Sequence, residues 1–169
     1  EIKLKEEILY NCKMERKQNG ISIESDTLGA LLYPSEGDTF ALDMVIKPEN
    51  FHEFGVALHV DQDLEKGYFL RMNPKNQLVA WDMWPRGEQG KYQWQIKGDV
   101  PYQIETARKL PKAEEYRVHI IKEKDICVVY INDEIVLSTR MYNHKDGYAG
   151  IYVVQGNVKL IQYKEKRSE

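Results

Sequence analysis

The chain has 169 residues, with 24 basic and 27 acidic side chains and a formal net charge of −3 when the histidines are neutral. So balanced a charge offers no field to attract nucleic acid or an anionic membrane, and the lack of a long apolar run argues against a membrane-spanning helix. Hydrophobic residues make up 42% of the chain, too many for a disordered segment. A monomer of this size hides roughly 70% of its unfolded surface, enough for one core without disulfide or metal staples.

Valine and isoleucine together number 26 against 7 alanines, and tyrosine adds 11. This bias suits pleated, half-buried strands rather than helices. In chain order the predicted strands are Ile8–Glu15, Ile21–Glu24, Gly29–Tyr33, Thr39–Lys47, Phe54–Asp61, Gly67–Met72 and Gln77–Met83. They continue with Tyr92–Ile96, Tyr102–Ala107, Tyr116–Lys122, Ile126–Ile131, Glu134–Arg140, Ala149–Val154 and Val158–Tyr163. Asn19-Gly20, Pro34–Gly37, Asn73–Asn76, Asn132-Asp133 and Gly156-Asn157 supply the turns between them. A short helix is allowed near Asp61–Lys66 or in the charged first residues. Regular short strands with this spacing predict a single all-β domain, a β-sandwich or barrel, and the layering of its strands favours a two-sheet antiparallel β-sandwich. Ile126–Ile131 is apolar on both parities and reads as a central strand covered on both sides. Asn132-Asp133 closes it into a hairpin.

The chain opens at Glu1 with no initiator methionine and no apolar leader, and so reads as a module excised from a longer protein. Its compartment is not legible. The two cysteines, Cys12 and Cys127, would pair only if the fold brings them together, and they are too few to signal a secreted scaffold.

If the strands from Thr39 to Met83 form three consecutive hairpins, their alternation sends Phe40, Leu42, Met44 and Ile46 inward with Phe54, Val56, Leu58, Val60, Tyr68, Leu70, Met72, Val79 and Trp81. The outward residues then fall in rows: Asp43, Ala57, Arg71, Leu78; next Ala41, His59, Phe69, Ala80; then Thr39, Asp61, Gly67, Asp82. Asp43 and Arg71 become second neighbours, about 9.6 Å apart. The pair reads either as a surface salt bridge worth about 0–1 kcal/mol or as a donor fork and acceptor pair suited to vicinal sugar hydroxyls. Trp84 leaves the strand beside Pro85 and Arg86 and near Asp82. An indole next to hydrogen-bonding charges joins an apolar platform to polar specificity, although a loop aromatic folded onto the sandwich edge accounts for it equally. The candidate ligand-binding residues are therefore Arg71, Asp82, Trp84, Arg86, Asp43 and His59. Trp94, in an alternating segment, reads as packing.

Other chemistry is thin. His52, His59, His119 and His144 show no metal spacing. The row of Thr39, Asp61 and Asp82, or the loop Asp61–Glu65, offers oxygens to calcium but lacks the length and glycine of an EF-hand. No cofactor is expected. There is no nucleophile elbow or phosphate loop, and Asp61 with Asp82 is a weak pair for glycosidase chemistry.

The runs Asp61–Arg71 and Leu78–Arg86, with Tyr116–Ile120, Val128–Val136 and Leu137–Tyr142, resemble the C-terminal β-sandwich of glycoside hydrolase family 32 and the carbohydrate-binding modules of family 66. The likeness covers roughly residues 38–163. It implies a jelly-roll, concanavalin A-like sandwich without catalysis of its own, because family 32 catalysis belongs to a five-bladed propeller with an Asn-Asp-Pro-Asn motif that this chain lacks. It also implies a fructan ligand such as the terminal fructose of levan, the catalytic domain of the parent chain as a partner, and an extracellular or cell-surface bacterial setting if that parent hydrolyses polysaccharide. A purely structural sandwich buttressing the propeller, or a sandwich hydrolase in its own right, are the alternatives.

Overall fold

The computed structural model describes residues 2, 6–84 and 102–167. Its strands are β1 (Ile8–Tyr10), β2 (Lys13–Lys17), β3 (Gly20–Pro34), β4 (Thr39–Asn50), β5 (Glu53–Val60), β6 (Gly67–Asn73) and β7 (Leu78–Trp84). Then come β8 (Tyr102–Gln103), β9 (Tyr116–Glu123), β10 (Ile126–Ile131), β11 (Ile135–Arg140) and β12 (Tyr148–Arg167). A 3-10 turn at Pro74–Asn76 joins β6 to β7, held by the Asn73 side chain, which accepts from the Asn76 amide.

The architecture is the expected antiparallel β-sandwich, but two long strands build it. The predicted pairs at 21–33 and 149–163 are in fact the continuous β3 and β12, which run antiparallel from Tyr148 opposite Pro34 to Leu160 opposite Ile21. The first half of β12 pairs with β5 and the second with β4. The register breaks between Val154 and Gly156, and there the strand passes from one layer to the other. Only glycine fits at the crossing, since a Cβ on Gly156 would lie 1.9 Å from the Asn50 carbonyl oxygen. One layer thus runs β1, β3, β12, β5, β6, β7, β8, and the other β2, β3, β12, β4, β9, β10, β11.

The inward parities hold. Phe40, Leu42, Met44, Ile46, Phe54, Val56, Leu58, Tyr68, Leu70, Met72, Val79 and Trp81 all lie in one buried core with Tyr116, Val118, Ile120, Val129 and Ile131 from the facing layer. Val60 departs and joins a second cluster on the outer face of the β5–β6 layer.

Several local expectations are corrected. Asp61–Lys66 is a turn, not a helix. The strand expected over Tyr102–Ala107 shrinks to Tyr102–Gln103, and Tyr92–Ile96 with Trp94 lies outside the described residues. β10 is covered on one side only: Cys127, Val129 and Ile131 are buried, while Ile126 is 44% exposed. Its apolar outer side reflects the strand preference of valine, isoleucine and tyrosine rather than burial. The hairpin after it forms as expected, with positive φ at both Asn132 and Asp133. Cys12 and Cys127 are both free.

Candidate functional site

The outer face of the β5–β6–β7 layer carries a trough of about 930 Å³. Its charged end is built from three neighbouring strands. Arg71 in β6 donates through Nε to Glu53 Oε1 in β5 at 3.0 Å and through Nη1 to Asp82 Oδ2 in β7 at 3.0 Å. The registers set this up: Arg71 lies opposite Gly55 and Ala80, so Glu53 and Asp82 sit on its two diagonals and on the same face. Gly55 keeps the floor beneath the guanidinium low, because a Cβ there would lie 1.8 Å from the Leu70 carbonyl oxygen and 3.0 Å from the Tyr152 ring. The Tyr152 hydroxyl donates to Glu53 Oε2 at 3.3 Å, and its ring meets Phe69 edge-on at 5.5 Å.

The electrostatics follow from burial. Asp82 is 3% exposed, and desolvation raises its pKa above the usual carboxylate range against the pull of Arg71. Its Oδ1 is buried with no hydrogen-bond partner among the described residues. Arg71 keeps 34% of its side chain in solvent. Burial works against its charge, but Glu53 and Asp82 outweigh that and raise its pKa. The result is a guanidinium fork held between two carboxylates and open to the trough on one side. Trp84, at the end of β7 opposite Gly67, is a half-buried wall of the same trough rather than a residue beyond the strand.

Of the six candidates, then, the fold brings Arg71, Asp82 and Trp84 together. Asp43 does not join them. β4 pairs with β9 and β12, not with β5, so Asp43 lies on the outer face of the other layer, where it accepts from Arg117 Nη1 at 3.0 Å. His59 turns the other way. Its φ of 54° bulges the strand end, and the ring goes between the layers against Phe40 and Tyr68 at 5.9 and 6.5 Å. Arg86 lies outside the described residues. The row of Thr39, Asp61 and Asp82 does not exist either, because Thr39 pairs with Glu123 in the other layer.

Glu53, Tyr152 and Tyr10 line the trough without having been expected. Glu53 shares the outward parity of Gly55 and Ala57, so it was detectable once β5 and β6 were paired. Tyr10 and Tyr152 arrive through long-range pairing that leaves no local mark. At the rim, carboxylate oxygens of Asp61, Asp63 and Glu65 lie within 4.8 Å of one another and are the described residues best placed to hold a cation. Asp61 Oδ1 accepts from the Glu65 and Lys66 amides at 2.7 and 3.1 Å, which accounts for the turn by itself.

Residues 11–164 match the model of the GH32, BT1760-like, C-terminal domain. The chain belongs to this family. It is accordingly an accessory module of a glycoside hydrolase and not the catalytic domain. A search of curated proteins found no match. Among solved structures, this domain is similar to the carbohydrate binding module CBM66 from Bacillus subtilis, with a TM-score of 0.79 at 16% identity, covering 98% of this chain and 97% of that one. A putative glycosyl hydrolase from Parabacteroides distasonis gives 0.65 at 16% identity over 96% and 88%. Chicken galectin 2 gives 0.53 at 9% identity over 83% and 98%. At such identities the likeness establishes a shared sandwich fold.

Proposed function

We propose that this module binds neutral carbohydrate in the trough, and that the ligand is a fructan whose terminal sugar sits on the Arg71 clamp. Arg71 donates to adjacent hydroxyls, Glu53 and Asp82 fix the guanidinium plane, and Trp84 lies against the apolar face of the ring. The observation that carries this reading is the guanidinium held between two carboxylates at 3.0 Å each with 34% of its side chain left open to the trough. The family's attachment to glycoside hydrolases and the carbohydrate-binding neighbour point the same way.

Calorimetry against fructose, levan and inulin tests it. Heat is expected with fructose and levan, and Arg71→Lys, which keeps the charge and loses the fork, is expected to weaken binding about tenfold or more. Unchanged affinity in that variant would remove the site assignment.

A second reading draws on a different surface. The outer face of β9–β11 exposes Ile121, Ile126 and Val136 at 42–44%, which suits packing against a catalytic domain of the parent chain. A module that only buttresses shows no heat with any of the three sugars.

A further inference from the structure

We propose that Tyr10 forms a second sugar subsite at the far end of the trough, so that the module grips at least two consecutive units of an oligosaccharide; this rests on the reading of the Arg71 end as a sugar clamp. The strand registers place both ends on one line. Arg71 lies opposite Gly55, Gly55 opposite Tyr152, Tyr152 opposite Ala30, and Ala30 opposite Tyr10. Four strand spacings separate Arg71 from Tyr10, about 19 Å along the sheet, and a single sugar ring covers only part of that length.

The space between is open. Tyr10, Leu28, Val154 and Tyr152 line the same cavity as Arg71, Asp82 and Trp84, and its roughly 930 Å³ lies near the top of the range usual for small-molecule sites. The residues crossed on the way are small at Gly55 and Ala30, so the floor stays low. Tyr10 is half-buried against the outer-face cluster, and its hydroxyl has no hydrogen-bond partner among the described residues. It therefore offers a fixed aromatic face and a free polar tip, the combination that holds a sugar ring. The two ends differ in chemistry: hydroxyl recognition by charge at Arg71, stacking at Tyr10.

The test compares fructose with levan-type di- and trisaccharides by calorimetry. The unaltered module gains roughly two- to tenfold in affinity from the monosaccharide to the trisaccharide. Tyr10→Ala abolishes that gain and leaves monosaccharide affinity unchanged. Tyr10→Leu, which keeps the apolar packing of β1, does the same with an unaltered thermal midpoint. Affinity independent of chain length in the unaltered module overturns the second subsite while leaving the clamp standing, and so does an equal loss for every sugar in Tyr10→Leu. Absence of binding to any of these sugars overturns the clamp and the subsite together.

Discussion

Two places in this sandwich hold charge away from bulk water, and they solve the problem differently. At the trough, Arg71 has two carboxylate partners and remains one-third exposed. Between the layers, Lys122 and His59 are each 1% exposed, and among the described residues Lys122 Nζ and both His59 ring nitrogens have no hydrogen-bond partner. His144 Nε2 is likewise unpartnered, and the Tyr68 ring lies against both histidines. The first arrangement conserves charge and displays it. The second suppresses it: burial lowers the His59 pKa to about 3, helped by Lys122, Arg167 and His144 and opposed by Asp38. Burial also lowers the Lys122 pKa. The guanidinium at the trough is paired yet open to solvent, whereas the groups between the layers are closed and pushed toward their neutral forms.

The largest effect that would sharpen this contrast is on binding. Arg71→Ala is expected to abolish retention on immobilised levan and also to lower stability, because it leaves Asp82 and Glu53 without their cation. Retention by that variant would show that the exposed pair has no part in recognition.

Next comes the pH dependence of the closed region. His59 is neutral in the folded chain down to about pH 3 but titrates near 6.5 once unfolded. Its contribution to stability is therefore fully present above pH 6.5 and is lost as the pH falls toward 3, at up to about 1.4 kcal/mol per pH unit. Denaturant melts of the unaltered chain and of His59→Leu between pH 7 and 4 check this; the variant's slope should be shallower. Parallel slopes would mean that His59 is hydrated.

A smaller effect of opposite sign is expected at Lys122. Replacing this buried amine, whose Nζ lies over the Phe40 ring at 6.0 Å but has no hydrogen-bond partner among the described residues, by Met should stabilise the fold by about 1–3 kcal/mol, a rise of several degrees in Tm for a chain of this size. A fall in Tm would mean that the ammonium has a partner that matters. The smallest effect is the loss of chain-length discrimination in Tyr10→Leu.

How much of this was legible in the sequence depends on the range of the interaction. Alternation gave the buried face of β4, β5, β6 and β7, because side chains change sides with period two whatever the partner strand. Partner choice was not legible: β12, which begins 88 residues after the end of β5, inserts between β4 and β5, and no local pattern announces such a pairing. Register escaped for a related reason. The expected rows at β5–β6 and β6–β7 were each displaced by two residues, since Ala57 faces Phe69 rather than Arg71, and Asp82 faces Phe69 rather than Gly67. A displacement of two leaves every side chain on its own face, so Arg71 and Asp82 stay together on the outer face and, two rows apart in the expected register, become diagonal neighbours, while Asp43, which depended on partner choice, does not join them. His59 was lost to a bulge with positive φ, a conformation histidine tolerates better than most residues but that nothing in its neighbourhood signals.

The central claim is that the paired, open charge at Arg71 is where ligand binds. Side-chain and backbone 1H–15N NMR during titration with levan oligosaccharide tests it most directly. The Arg71 Nε–H, the Trp84 indole N–H and the Gly55 amide should shift together and saturate on one curve. Shifts confined to Ile121, Val128 and Val136 on the opposite outer face, or to the region around His59 and His144, would contradict it.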